Sequence, residues 1–329
     1  MKISLIFKKS QLPVLFTQKA LNKLKSFGEV VIHDSDDLTP DAIKPTLKNA
    51  DIAITSWGSV LLTAEVLDAA PNLKLVVHAA GSVKPVVTEE MWKRGIRVTS
   101  STKPLGIGVA ECAVGFAISA SKNFYNVNED IHNGGWDERR HECRELYEQN
   151  VGVISAGFVG RHFIKLMNNF GVNIMLYDPY ITEEMAESLG AKKVELPELL
   201  EKSDILSVHA PSIPETNHMI NADTLKLMKK DAILINTARG SIVDEMALYE
   251  HMKAGNLRYA CIDVYDPEPP LADNPLRTLK NVIMTPHLAG LANNGKLRIG
   301  THVTEEIDRF LRCEPLECEI TEDMLSKMA

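Results

Sequence analysis

The sequence predicts an α/β protein with two doubly wound parallel sheets. Short apolar runs alternate with helical patterns through the first hundred residues, and a second series of the same kind begins near residue 150. Strands that alternate with helices are typical of parallel pairing, because each crossover returns the chain to the same edge of the sheet. The 329 residues also exceed the roughly 250 to 300 at which one hydrophobic core stops growing. We therefore expect two domains.

Each element of the first series follows from an apolar run or a helical period. Strands are predicted at residues 3–7, 29–32, 52–55, 75–78 and 97–99. Helices are predicted between them at 15–27, 40–47, 63–70 and 89–94. A long pattern rich in Ala and Val, at 104–126, then predicts a buried helix that links the two series.

The second series predicts six more strands and a final helix. The strands fall at 151–155, 173–176, 205–208, 232–235, 259–262 and 282–284, with helices between them. The final helix is expected at 295–311, followed by a polar tail, and it can cross back to the first domain. No repeat of 20 to 50 residues is visible, so a solenoid is not supported.

The charge of the chain argues against nucleic acid as a partner. The formal net charge is -8, and the 36 Lys and Arg residues are scattered without a long basic run. A polyphosphate backbone would be repelled by such a surface rather than attracted to it. At 45% hydrophobic and 24% charged residues, the composition is that of an ordinary globular protein.

The sequence gives no sign of targeting, membrane insertion or metal binding. The apolar run after Lys2 is too short for a signal sequence, and no stretch is expected to approach the roughly 18 residues that span a membrane. The five cysteines are dispersed, without a Cys-x-x-Cys pair or zinc-ligand spacing, and are expected to be free thiols. We expect a cytoplasmic protein without a metal site.

A glycine turn follows the first strand of the second series. Gly157 and Gly160 lie where a strand ends and a helix begins, in a Ser-x-Gly-x-x-Gly pattern whose first position is Ser155. Backbone N–H groups and the positive end of the helix dipole attract phosphate at such a turn, and small residues let the ligand come close. The alternative is a tight turn without a ligand. The setting between strand and helix favours dinucleotide binding.

Asp178 lies about 20 residues beyond the glycines, at the end of the next predicted strand. A carboxylate there would accept hydrogen bonds from an adenosine ribose diol and would repel a 2'-phosphate. The sequence therefore predicts NAD rather than NADP as cofactor, although Asp178-Pro179 could also be an ordinary turn.

Three later segments, which carry Arg239, Glu268 and His287, follow predicted strands of the same sheet. Ligands of open parallel sheets bind at the carboxyl ends of the strands, so the three side chains are expected at one crevice. A guanidinium can hold a carboxylate and polarise a carbonyl, and an imidazole oriented by a carboxylate can exchange a proton near neutral pH. The alternatives are a surface cation, a solvated acidic turn and a packed ring.

Together with the glycine turn and His209-Ala210-Pro211, these segments resemble the D-isomer-specific 2-hydroxyacid dehydrogenases over nearly all of residues 100–290. The resemblance implies hydride transfer between NAD(H) and a small D-2-hydroxy acid or 2-oxo acid. It also implies a Rossmann cofactor domain at 102–289, inserted in a flavodoxin-like substrate domain formed by 1–101 and 290–329. Family members usually pair through the linking helix, so a homodimer is expected.

The resemblance also implies which residues bind the cofactor and the substrate. The expected cofactor-binding residues are Val109, Gly157, Phe158, Val159, Gly160, Asp178, His209, Ala210, Pro211, Thr216, Thr237, Ala238, Arg239, Asp263 and His287. The expected substrate-binding residues are Ala80, Gly81, Arg239 and His287.

The sequence leaves the identity of the substrate open. After Gly81 the family commonly has a Gly-x-Asp-Asn type of sequence, whereas this chain continues Ser82-Val83-Lys84.

Two alternatives to a 2-hydroxyacid dehydrogenase remain open. An NAD(H)-sensing corepressor or scaffold of the same fold is one alternative, and the complete set of Arg239, Glu268 and His287 argues against it. Formate oxidation is the other, but the related formate enzymes have glutamine in place of Glu268.

Overall fold

The computed structural model describes residues 1–328. Its strands are β1 (Lys2–Leu5), β2 (Glu29–Ile32), β3 (Ile52–Thr55), β4 (Leu75–His78), β5 (Arg97–Ser100), β6 (Asn150–Ile154), β7 (Asn173–Tyr177), β8 (Lys192–Lys193), β9 (Ile205–Val208), β10 (Ile233–Asn236), β11 (Tyr259–Ile262), β12 (Val282–Met284) and β13 (Glu319–Ile320). Its α-helices are α1 (Leu12–Leu15), α2 (Gln18–Phe27), α3 (Pro40–Leu47), α4 (Ala64–Leu67), α5 (Glu89–Lys93), α6 (Thr102–Ser121), α7 (Phe124–His132), α8 (Phe158–Met167), α9 (Glu183–Ser188), α10 (Leu196–Lys202), α11 (Ala222–Leu227), α12 (Glu245–Lys253) and α13 (Asn293–Leu311).

The chain divides into two compact units. The first comprises Met1–Leu105 and the chain from Gly290 onward, and the second comprises Gly106–Ala289. The second unit is thus inserted in the sequence of the first. Each unit has its own sheet, with apolar residues buried on both faces of its strands.

The sheet of the first unit has the strand order β13-β5-β4-β3-β1-β2. Its pairs are parallel except for β13, which pairs antiparallel with β5. Without β13 the order is the flavodoxin-like 2-1-3-4-5. Helix α13 packs against α1 and α2, and its buried residues Ile299, Val303 and Ile307 join the core on one face of the sheet. The expected return of the last helix to the first unit is confirmed.

The second unit has a parallel sheet with the order β12-β11-β10-β9-β6-β7-β8. Counted from β6, this is the Rossmann order 3-2-1-4-5-6 with one further strand. The order reverses between β6 and β9, so the carboxyl ends of these strands form the switch point at which ligands of such sheets bind. The predicted α/β class with two doubly wound sheets is confirmed.

Four local features differ from the sequence-based expectation. The helix predicted over 104–126 is two helices, because Asn123 has a left-handed backbone with φ of 58° that ends the run before α7. The helix predicted at 15–27 corresponds to α2, which begins at Gln18, and the short helix α1 precedes it. The polar tail contains β13, which the sequence did not predict, and the two-residue edge strand β8 was also missed.

Helix α6 corrects the expectation about membrane-spanning length. Among the helices of residues 1–328, α6 alone is long and apolar enough, by length and composition, to cross a membrane, and half of its most apolar stretch is buried inside the protein. Its residues Ala113, Phe116 and Ala117 pack in the core of the second unit, which explains why so apolar a helix forms here. All five cysteines are free thiols, as expected.

Candidate active site

The glycine turn lies between β6 and α8. Gly157 is the N-cap of α8, and nothing lies within 4 Å of the position that its Cβ would take, so its backbone is open to a ligand. A Cβ on Gly160 would lie 2.1 Å from the carbonyl oxygen of Ser155, so that position accepts only glycine. The exposed start of a ten-residue helix, with its free N–H groups, fits a dinucleotide pyrophosphate.

Asp178 follows β7 and faces this turn. Its Oδ2 accepts hydrogen bonds from the Ala156 N–H at 2.8 Å and the Ser155 hydroxyl at 3.4 Å, and its Oδ1 accepts one from the Tyr180 N–H at 2.8 Å. The side chain is buried at the end of the strand. A carboxylate offers about four acceptor positions, so it can still accept from a ribose hydroxyl.

Two buried polar atoms beyond β9 and β10 lack a partner among residues 1–328. They are Nδ1 of His209 and Oγ1 of Thr237, both at positions expected to line the cofactor. Burial lowers the pKa of the His209 imidazole to about 3, so the ring is neutral at physiological pH. Its Nε2 lies 3.0 Å from the Ser207 hydroxyl. Buried polar groups normally have partners, so these two atoms fit contact with a ligand that carries polar groups.

Other expected cofactor residues have evident packing roles. The Thr216 hydroxyl donates to the Pro211 carbonyl at 2.6 Å and accepts from the Ile213 N–H, which closes the loop after Ala210. The side chains of Phe158 and Val159 lie against Gly106, so their expected contact with the cofactor would come from the backbone. Val109 is half-buried on α6, as is Ala238 after β10.

His287 and Glu268 form a hydrogen-bonded pair. The His287 Nδ1 lies 2.8 Å from Oε2 of Glu268, and the side chains are 43% and 40% exposed, so both are accessible to a substrate. They come from separate loops, after β12 and β11. His287 has a left-handed backbone, with φ of 49°, which is costly for a residue with a Cβ and is typical of functional sites. The structure therefore brings the expected imidazole and carboxylate together.

Arg239 follows β10, and its guanidinium interacts electrostatically with the Glu268 carboxylate. Burial lowers the pKa of its guanidinium, and the nearby Glu268 carboxylate acts in the opposite direction. A Cβ on the next residue, Gly240, would lie 2.0 Å from the Tyr265 carbonyl carbon, so the backbones after β10 and β11 touch. The guanidinium Nη1 donates to the Ala238 carbonyl at 2.6 Å. All three candidate catalytic residues thus belong to one edge of one sheet.

Asp263 holds the loop that carries His287. Its carboxylate is fully buried and accepts from the Thr285 hydroxyl at 2.5 Å and from the Leu288 and Ala289 N–H groups at 2.9 Å. Its carbonyl oxygen accepts from the His287 N–H. The expected contact of Asp263 with the cofactor stays a prediction, while the observed contacts make Asp263 a positioning residue.

Sequence reasoning missed two residues that shape the site. The Asn236 side chain accepts from the Ala238 N–H and donates to the Arg239 carbonyl, so it fixes the loop of Arg239. The Tyr265 hydroxyl lies 2.9 Å from the Thr285 carbonyl oxygen, to which it donates, and 3.0 Å from the Ile262 carbonyl oxygen, and it so ties the loops of Glu268 and His287 together. Asparagine at the end of a strand often forms a turn, so the sequence could have indicated Asn236. The contact of Tyr265 with Thr285 joins two different loops and leaves no local signal in the sequence.

The expected substrate-binding residues Ala80 and Gly81 follow β4 in the first unit. Ala80 is buried and its carbonyl accepts from the Ser101 N–H at 2.9 Å, while the Gly81 carbonyl accepts from the Thr102 hydroxyl. Lys84 is exposed and Val83 is buried, so the segment bends at the surface. Ala80 and Gly81 therefore lie at the carboxyl edge of the sheet of the first unit.

Comparison with known proteins gives the family. Residues 114–289 match the model of the D-isomer specific 2-hydroxyacid dehydrogenase, NAD binding domain. The D-3-phosphoglycerate dehydrogenase of Methanocaldococcus jannaschii is 37% identical over 301 residues, which are 91% of this chain and 57% of that protein. The chain therefore spans little more than half the length of that relative.

Two further relatives match over nearly their full length. The glyoxylate reductase of Korarchaeum cryptofilum is 32% identical over 303 residues, which are 90% of this chain and 91% of that protein. The solved structure of an NAD-dependent formate dehydrogenase from Staphylococcus aureus, in complex with NAD, is 30% identical, has a TM-score of 0.71 and is covered to 97%, with 96% of this chain matched. The expected family and NAD as its cofactor are confirmed, and the chain belongs to the D-isomer specific 2-hydroxyacid dehydrogenase family.

Proposed function

We propose that the protein transfers hydride between NAD(H) and a small D-2-hydroxy acid or 2-oxo acid. The observation that carries the proposal is the 2.8 Å contact between His287 and Glu268, with Arg239 on the neighbouring loop. The relatives named as dehydrogenases and reductases support turnover and give no support to an NAD-sensing corepressor.

The three catalytic residues have different roles in this proposal. NAD(H), when bound, supplies or accepts the hydride. Arg239 holds the substrate carboxylate and polarises the 2-oxo group with its planar donors. His287 gives a proton to the developing alkoxide during reduction and takes it back during oxidation. Glu268 accepts a hydrogen bond from Nδ1 of His287, so Nε2 is the nitrogen that exchanges the proton. The Glu268 carboxylate also stabilises the imidazolium.

The binding residues and domains are proposed as follows. The start of α8 at Gly157 holds the pyrophosphate, Asp178 the ribose diol, and the loops after β9 and β10 the rest of the dinucleotide. Residues 102–289 are the cofactor domain, and 1–101 with 290–329 are the substrate domain, with Ala80 and Gly81 at the substrate carboxylate. We also propose that the protein is cytoplasmic and forms a homodimer. The homodimer is supported by Phe124 and Ile131 of α7, whose apolar side chains are about half exposed.

A reductase assay tests the proposal. We expect NADH absorbance to fall with at least one member of a panel of glyoxylate, hydroxypyruvate, phosphohydroxypyruvate, pyruvate and phenylpyruvate. Formate with NAD serves as the comparison, and we expect no reduction of NAD with it. Retained NADH binding without turnover on any acid of the panel would contradict the proposal and favour a sensor.

The substitution Asp178→Ala tests the ribose role. We expect NADH to bind more weakly, because a hydrogen-bonded carboxylate is lost, and discrimination against NADPH to relax, because the negative charge that repels a 2'-phosphate is gone. Each lost hydrogen bond to a charged group corresponds to about 1.5 to 3 kcal/mol. The measurement is the ratio of the dissociation constants for NADH and NADPH. An unchanged ratio would show that Asp178 does not select the cofactor.

A further inference from the structure

Ser155 stands where the dinucleotide fingerprint has its first glycine, and it keeps the backbone that a glycine would adopt. Its φ is 75°, in the left-handed region that a Cβ disfavours. Its N–H donates to the Tyr177 carbonyl at 2.8 Å, and its carbonyl lies against Gly160, so the turn cannot relax. The chain therefore bears a backbone strain here that glycine would remove.

A hydrogen bond from the Ser155 hydroxyl accounts for the presence of serine at this strained position. It lies 3.4 Å from Oδ2 of Asp178, the oxygen that also accepts from the Ala156 N–H. The other two donors to this carboxylate, Ala156 and Tyr180, are backbone groups that nearly any sequence would supply. Of the donors to the Asp178 carboxylate described within residues 1–328, Ser155 is the one that donates from its side chain. This hydrogen bond therefore depends on the residue type at position 155.

We propose that Ser155 is a positioning residue for the adenosine ribose. It holds the Asp178 carboxylate in the orientation that accepts the ribose diol, so less side-chain freedom is lost when NAD binds. The same contact keeps the negative charge where a 2'-phosphate would lie, which strengthens selection against NADP. The inference rests on the ribose role proposed above for Asp178.

Two substitutions separate the hydroxyl from the backbone. Ser155→Ala removes the hydroxyl and keeps the strain, whereas Ser155→Gly removes both. We expect both variants to bind NADH about threefold to tenfold more weakly, the range for one net hydrogen bond, with a similar loss of preference over NADPH. Only Ser155→Gly should raise the melting temperature, because only glycine adopts this backbone without cost. Cofactor fluorescence titration and thermal unfolding measure the two effects.

Glu148 supplies a matched control at the opposite end of β6. It is exposed and also left-handed, with φ of 62°, and it lies before β6 whereas Ser155 lies after it. Glu148→Gly should relieve a similar strain and leave both dissociation constants unchanged. This control shows that strain relief in the same unit does not by itself change cofactor preference.

The outcomes distinguish this inference from the one on which it rests. In an Asp178→Ala background, Ser155→Ala should cause no further loss of NADH affinity, since the hydroxyl acts through the carboxylate. Equal or tighter NADH binding by Ser155→Gly, with unchanged selectivity, would overturn the role of Ser155 even if Asp178→Ala relaxes selectivity. An Asp178→Ala variant with unchanged selectivity would remove the ribose role itself.

Discussion

Replacement of His287 with alanine should lower turnover by about 100-fold or more and leave NADH affinity nearly intact. The imidazole is the group that can exchange a proton with the substrate oxygen, and a positioned acid or base contributes about 100-fold to 10,000-fold. Its contact with Glu268 at 2.8 Å orients the ring for that task. The measurements are kcat with a 2-oxo acid from the panel and the dissociation constant for NADH.

Substitutions of Glu268 and of a control histidine extend the test of His287. Glu268→Gln keeps a hydrogen-bond acceptor but removes the charge that stabilises the imidazolium, so we expect a smaller loss of kcat than for His287→Ala. The double variant should be no slower than His287→Ala alone, because residues that act as a unit are not additive. His251→Ala, in the last turn of α12, is the histidine control and should keep wild-type turnover. Undiminished kcat in His287→Ala would refute its assignment as the acid and base.

The strands were predicted well because their signal is local. The runs at 29–32, 52–55, 75–78, 205–208, 259–262 and 282–284 coincide with β2, β3, β4, β9, β11 and β12. Strands β3, β4, β9 and β11 are buried along their whole length, as is typical of a parallel sheet covered on both faces, and such a mostly apolar run is visible in the sequence itself. The alternation with helices then determined the fold class.

Features that depend on distant contacts were not predicted. The break between α6 and α7 occurs at the buried Asn123, whose Oδ1 accepts from the Tyr259 hydroxyl at 2.6 Å, a partner 136 positions away. Strand β13 is held by the buried Glu306, which accepts from the N–H groups of Glu317 and Cys318. Neither contact leaves a period or spacing in the sequence.

For the candidate site, the sequence predicts which loops lie together but not which partners hold each side chain. The convergence of Arg239, Glu268 and His287 follows from one rule, that loops at the carboxyl ends of parallel strands share an edge. Which way a loop side chain points follows from its tertiary partners. The rule could therefore place Asp263 at the site but could not show that its carboxylate accepts hydrogen bonds from Thr285, Leu288 and Ala289.

Substitution of Arg239 is expected to have the second large effect on catalysis. Replacement with glutamine should lower kcat/KM for a 2-oxo acid by about 100-fold to 1000-fold, the range for loss of one electrostatic stabiliser from an active site. The guanidinium is half-buried and remains charged, so its attraction for an anion is less screened by water than that of a surface arginine. Steady-state kinetics with varied 2-oxo acid at saturating NADH measures the effect.

Arg239→Lys separates charge from geometry. Lysine keeps the positive charge but cannot present two parallel N–H donors to a carboxylate, so we expect it to recover only part of the lost kcat/KM. Arg144→Gln is the matched control, because Arg144 forms an exposed ion pair with Asp231 in the same unit and such pairs contribute little. If Arg239→Gln retained the kcat/KM of the Arg144→Gln control, the substrate carboxylate would have to be held elsewhere, and the proposed arrangement of Arg239, Glu268 and His287 around it would fail.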